Sequence, residues 1–327
     1  MSAPRGGLPI LAALMRRSRS SPVLRLAVRA GAGTALAAAF AVPLARRRLR
    51  IPPSVTVAAC AGGPLALAVL TPRTKKRDVA LFALQMWAFT VVHEIPYDDP
   101  EALRRRLRTR YPIAIDRTIG RGSLPNARLQ RAFARMPRVG RLNKFLAWVH
   151  WIWFLEPYLA LILILIRHND RFPSSARQLA AVFDIGCFVY FAAPTAPPWW
   201  SSQQGLTGEE VRRVMVEVGE DAWGPAWEPL YGALGGNPWA AMPSLHFATS
   251  VAAALCLSEA GKAEGALGWG YAGTLGFALV YLGEHYVTDL IAGALLVALV
   301  RRGEPLAAPL VEGVNRGLRQ LERVATG

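Results

Sequence analysis

Leu159-Ala-Leu-Ile-Leu-Ile-Leu-Ile166 closes an apolar run that begins at Phe145 and is bounded by Lys144 and Arg167. A bilayer core of about 30 Å takes roughly 20 mostly apolar residues per helical span, and this run has that length. Seven further runs bounded by charge, Pro or Gly occur at about 26–45, 51–70, 79–95, 178–194, 243–260, 265–283 and 285–300. The spacing therefore predicts an all-α, polytopic membrane helix bundle of about eight spans. The first two runs are rich in Ala and Gly and contain Arg29, Pro43 and Pro64, which leaves an interfacial hairpin open as the other reading.

Composition agrees. Of 327 residues, 53% are hydrophobic and 18% charged, against about 25% charged in an ordinary soluble domain. A water-soluble enzyme is excluded on that balance. The 38 Lys+Arg and 22 Asp+Glu give a net charge of +16, but the cations come in bursts between apolar runs. They suit anionic lipid head groups and not nucleic acid. Cys60, Cys187 and Cys256 each sit in an apolar run without metal-ligand spacing, so a disulfide scaffold or zinc ribbon is excluded. The short apolar piece Leu8–Leu14 has no small-residue cleavage site after it and is not read as a signal peptide.

Two long connections differ in kind. Residues 98–144 carry thirteen Lys/Arg interleaved with Leu103, Leu107, Ile113, Ile115 and Leu124, the pattern of amphipathic helices lying on a membrane surface. Residues 195–242 are acidic, with Trp199, Trp200, Trp223, Trp227 and Trp239, the composition of an interfacial loop. The chain divides into 1–78 (basic segment and extra hairpin), 79–300 (catalytic membrane domain, with 98–144 its basic interfacial segment) and 301–327 (basic tail).

Ionisable residues in apolar segments point to function by default, and the histidines concentrate attention on Met242-Pro-Ser-Leu-His246 and Gly283-Glu-His-Tyr-Val-Thr-Asp289. Pro243 suits the first turn of a helix, which puts His246 at the mouth of its span. Two traversals later the chain returns to the same face at His285. Four residues separate His285 from Asp289, so the two share one helical face. A carboxylate there fixes the imidazole tautomer and makes the other nitrogen a nucleophile, with His246 as acid and base. A structural His–Asp pair, a metal or haem site, a proton relay in a transporter, and a non-catalytic binder of anionic lipid are the competing readings. A relay spreads its groups through the depth of the membrane, whereas these cluster at one face.

Pro243-Ser-Leu-His246 and Glu284-His-Tyr-Val-Thr-Asp289 resemble the second and third signature motifs of the type 2 phosphatidic acid phosphatase superfamily. That resemblance implies a six-helix core over about 79–300, with His285 as nucleophile, Asp289 as its partner and His246 as the acid. The Lys-x6-Arg-Pro first motif is absent, Ala278 and Leu279 stand where the family has Ser-Arg, and Leu245 replaces a Gly. Together with Pro194-Thr-Ala-Pro197-Pro198-Trp199, the motifs are most similar to the inositol phosphorylceramide synthase-like bacterial branch. This implies a metal-independent lipid phosphotransferase or phosphatase without cofactor, acting on a lipid phosphoester. For the phosphate, the expected ligands are Ser244 and the helix start beside it, Arg117, Lys144 and His150. Lys/Arg counts of 18 and 19 on the two sides leave orientation undecided; the resemblance places the site on the outer face of a bacterial cytoplasmic membrane. Head group, acceptor and oligomeric state are not legible.

Overall fold

The computed structural model describes residues 21–133, 140–234 and 237–326. Leu8–Leu14 and the Arg135–Arg138 part of the basic segment fall outside them. Among the described residues the chain is helical, with two short 3-10 turns and isolated bridges at Arg108–Thr195 and Thr195–Ala240 but no strand. Residues 21–92 and 305–326 form one compact unit and residues 93–304 another.

In the first unit, α1 (Pro22–Leu49) starts with Pro at its first position, where the missing N–H costs nothing. It ends on Arg46, Arg47 and Arg48, cations suited to the negative end of the helix dipole. Arg50 then turns through φ 52 into α2 (Pro53–Leu70). α3 (Lys75–Glu94) runs on into a 3-10 turn at Ile95–Asp98. All three are long and apolar enough to cross a membrane. The Trp87 indole donates to the Ala39 carbonyl at 3.0 Å, which satisfies a polar atom away from water. Arg77 bonds the Thr71 carbonyl at 2.9 Å and Glu322 at 3.0 Å.

In the second unit the run expected as one span, Phe145–Ile166, is two helices, α7 (Arg141–Ile152) and α8 (Glu156–Arg167), bent by 57°. Pro157 gives the reason: its ring excludes the carbonyl four residues back, at Trp153, and it brings no N–H. α9 (Phe172–Ala192), α13 (Leu245–Ala260), α14 (Lys262–Tyr281) and the part of α15 (Val287–Thr326) up to residue 304 complete this unit. α13 and α14 lie close because Gly268 rests on the Ala254 backbone; a Cβ there would sit 2.8 Å from the Ala254 Cα. Small residues of this kind let helix backbones approach within lipid. Leu146, Val214, Met215, Leu275 and Leu279 are buried together with Tyr281 and Leu282 in one apolar cluster.

The 98–144 segment departs from the sequence reading. It folds into α4 (Pro100–Arg105), α5 (Arg110–Ile119) and α6 (Pro125–Ala132). Of the apolar residues expected to face lipid, Leu103, Ile113 and Leu124 are buried within the protein and Ile115 is exposed. The cause lies in the polar residues between them: Asp116, Asn126 and Gln130 are buried as well, bonded to backbone of the turn at 280–288 and to Arg212. In the 195–242 connection, α10 (Pro198–Gln203), α11 (Val214–Trp223) and α12 (Trp227–Leu234) carry a Trp223–Trp227 stack with centroids 5.5 Å apart. The three cysteines are free and buried.

Candidate active site

Ser244 opens α13 by accepting the Phe247 N–H on its hydroxyl at 3.3 Å, the usual role of a serine at that position. His246 is therefore in the first turn. Its Nδ1 lies 3.1 Å from Nε2 of His285. The other nitrogen of His285, Nδ1, is 3.3 Å from Oδ2 of Asp289. His285 precedes α15, which begins at Val287, so the pair is not stacked on one helical face as the spacing suggested. Instead the chain turns at Gly283–Tyr286, and Asp289 reaches back from the first turn of the helix. It also accepts the Tyr286 N–H on the same oxygen at 2.9 Å, while its Oδ1 is buried without a partner. His285 and Asp289 are buried, Asp289 fully.

The turn depends on Gly283. Its φ is +83, and a Cβ would lie 2.4 Å from the Arg212 carbonyl oxygen. Only glycine takes that conformation without strain and lets another strand of chain lie this close.

Around His246 the bent span forms a wall. The His150 ring is stacked on the His246 ring, centroids 5.0 Å apart, and the ring of Trp153, within the α7–α8 break, has its centroid 4.1 Å from that of His246. Trp153 is held by a hydrogen bond to Thr249 at 2.9 Å. Buried His150 keeps Nδ1 without a partner.

Two expected phosphate ligands are elsewhere. Arg117 is exposed and donates to the Thr207 carbonyl at 2.5 Å. Successive helical residues are about 100° apart; Asp116 turns inward, and Arg117 is carried away from the histidines. Lys144 forms a half-exposed ion pair with Asp221 at 3.0 Å, six residues and about 9 Å of helix rise before His150.

The cation beside the histidines is Arg213, which the sequence reading passed over. It is one of only two Lys/Arg in the acidic 195–242 connection, Arg212 and Arg213, and that isolation is the signal that was there to be used. Its Nε donates to Glu284 at 2.9 Å and its Nη2 to the Tyr231 hydroxyl at 2.9 Å. The guanidinium lies 4.0 Å over the Trp199 ring, whose buried Nε1 is unpartnered. Glu284 directly precedes His285. Burial pushes its carboxyl upward, but the Arg213 charge and hydrogen bonds prevail and hold it below its ordinary value. The charges of Arg213 and Glu284 both reach His150.

Among the described residues, no three His, Cys, Asp or Glu side chains converge to hold a metal ion. A family model described as the PAP2 superfamily, the type 2 phosphatidic acid phosphatases, matches residues 123–301. No curated protein and no solved structure matches the chain. The matched stretch includes Ser244, His246, His285 and Asp289 and leaves out Asp116 and Arg117. Covering more than half of the 327 residues, it shows that the chain belongs to the PAP2 superfamily.

Proposed function

We propose that the protein is an integral-membrane lipid phosphotransferase or phosphatase working through a phosphohistidine on His285. PAP2 superfamily members are generally phosphatases and phosphotransferases, and the three N-terminal helices are long and apolar enough to cross a membrane. The observation that carries the finer reading is the line Asp289–His285–His246, with a carboxylate on one imidazole nitrogen and a second imidazole facing the other.

Asp289 accepts the Nδ1–H of His285, which leaves a lone pair on Nε2. With His246 in its Nδ1–H tautomer, that lone pair accepts the His246 proton across the 3.1 Å contact. A phosphoester entering between the rings replaces this contact. The Nε2 lone pair attacks phosphorus, the bond from phosphorus to the leaving oxygen breaks, and the His246 proton passes to that oxygen. A water or alcohol then attacks the phosphohistidine, the P–N bond breaks, and His246 takes the proton of the attacking hydroxyl. Arg213 neutralises the phosphate in place of Arg117 and Lys144, with His150 Nδ1 and Trp199 Nε1 as neutral donors.

Within the superfamily, Pro243-Ser-Leu-His246 and the Pro194–Trp199 segment favour the inositol phosphorylceramide synthase-like branch, with the site on the outer face of a bacterial cytoplasmic membrane. Lipid extracts of cells lacking the gene, complemented with wild type or His285→Ala, test the activity. A lipid phosphoester that accumulates without the gene and is consumed by wild type alone supports it. Identical lipid profiles for wild type and His285→Ala contradict it.

A further inference from the structure

We propose that residues 110–132 are a positioning clamp for the reaction, in which Asp116 and Asn126 set the nucleophile His285 and Gln130 sets the cation Arg213. The proposal rests on the roles given to His285 and Arg213 above.

Asp116 is fully buried. Its Oδ2 accepts the Val287 N–H and its Oδ1 the Thr288 N–H, each at 2.9 Å, and Oδ1 also takes the Thr288 hydroxyl. Asp289 takes the Tyr286 N–H at 2.9 Å. Three consecutive donors at the start of α15 therefore end on two carboxylates. A helix start is ordinarily an anion site; this one is closed to phosphate, and its direction is fixed so that Asp289 meets His285 Nδ1. Asn126 Nδ2 donates to the carbonyls of Val280 at 2.7 Å and His285 at 2.9 Å, bridging the two sides of the catalytic turn.

Gln130 performs the matching task on the segment that leads into α11. Its Nε2 donates to Arg212 O at 3.0 Å and to Tyr281 O at 2.8 Å, and its Oε1 accepts the Arg212 N–H at 2.9 Å. Both backbone polar atoms of Arg212 are gripped, so the neighbouring Arg213 leaves from a fixed point. Buried polar groups generally find partners, and ordinary satisfaction is the bland explanation for each bond alone. The clamp reading adds that the side-chain hydrogen bonds of Asp116, Asn126 and Gln130 all go to residues 280–288 or to Arg212, next to the groups assigned to the chemistry. Asp116, moreover, precedes the residues matched by the family model.

The two halves of the clamp have different kinetic signatures. A misplacement of about 1 Å at a reacting group costs on the order of 10²-fold, so Asp116→Ala should lower kcat by about that factor with KM unchanged. Asp116→Asn, which keeps one acceptor oxygen but turns its NH2 toward the other backbone N–H, should recover part of the loss. Gln130→Leu should instead raise KM roughly tenfold with kcat unchanged, the mark of lost ground-state binding. Steady-state kinetics on the full-length protein in detergent, with thermal melts to verify folding and His285→Ala as control, read all three. The clamp is overturned if the Asp116 and Gln130 variants change the same parameter together, or if neither changes kcat or KM. Should Asp116→Ala fail to fold, the folded Asp116→Asn and Gln130→Leu carry the test: a raised KM with unchanged kcat in Asp116→Asn, or wild-type kcat and KM in Gln130→Leu, overturns the clamp. If His285→Ala retains turnover, the assignment of the nucleophile is what fails.

Discussion

Nδ1 of His246 and Nε2 of His285 face each other at 3.1 Å, although 39 residues and a helical hairpin separate them in the chain. In the proposed reaction these two atoms are the nucleophile and the donor of the leaving-group proton, and they are already in contact. His285→Ala and His246→Ala should each abolish turnover of a lipid phosphoester while leaving the helices intact. They should differ with a substrate whose leaving group needs no protonation, which should partly rescue His246→Ala and leave His285→Ala inactive. Equal rescue of both would undo the division of labour.

Asp289→Asn keeps the volume and one acceptor oxygen but removes the charge that steadies the His285 imidazole. The equivalent change in the serine-protease triad costs about 10⁴ in kcat, and a loss on the order of 10²–10⁴ is expected here, with KM nearly unchanged. A variant with near-normal kcat and a raised KM would mean that Asp289 organises substrate binding instead.

Arg213→Ala should act on binding. Hydrogen bonds to a charged group are worth roughly 1.5–3 kcal/mol, so KM should rise on the order of 10–10²-fold. Arg213→Lys should restore only part of this, because an ammonium cannot bond Glu284 and Tyr231 from one planar fork. An unchanged KM in Arg213→Ala would remove Arg213 from the phosphate site.

The same ion pair has a pH signature. Glu284 is held below its ordinary value of 4.5 in the folded protein, so the pair contributes stability above that value and loses it as pH falls through the lower, folded one. Melting temperature should decline on that acid limb, and Glu284→Gln should flatten the decline while starting from a lower melting temperature at neutral pH. Parallel acid limbs in the two proteins would contradict the assignment.

The proposed transfer through His285 uses no metal ion, so activity should survive EDTA. Complete loss that Zn²⁺ or Mg²⁺ restores would favour a metal-assisted reaction.

What the sequence made legible is local. The length of the apolar runs and the charges that bound them marked the apolar helices, and Pro243 put His246 near the start of α13, although Pro243 itself precedes the helix and Ser244 is its cap. Other features were set by partners remote in the chain. Asp116 and Arg117 are adjacent, and the choice of Arg117 as the functional one reversed the outcome, because an inward carboxylate could be bonded by the α15 backbone. Asn126 and Gln130 lie in the segment whose pattern suggested surface helices, and nothing in that pattern points to their backbone partners more than 80 residues away. Arg213 is separated by 71 residues from Glu284, which holds it, and no periodicity links the two. The break after Ile152 was signalled by Pro157 but masked by the apolar run that follows it.

The central claim is that His285 carries the phosphoryl group. The most direct measurement uses His246→Ala with a lipid phosphoester whose leaving group is activated: the first transfer proceeds, and the second is slowed for want of a base. Rapid quenching in alkali, where a phosphohistidine survives, followed by peptide mass spectrometry should find phosphate on His285. Turnover with no phosphate on His285, or with phosphate on another residue, would contradict the account.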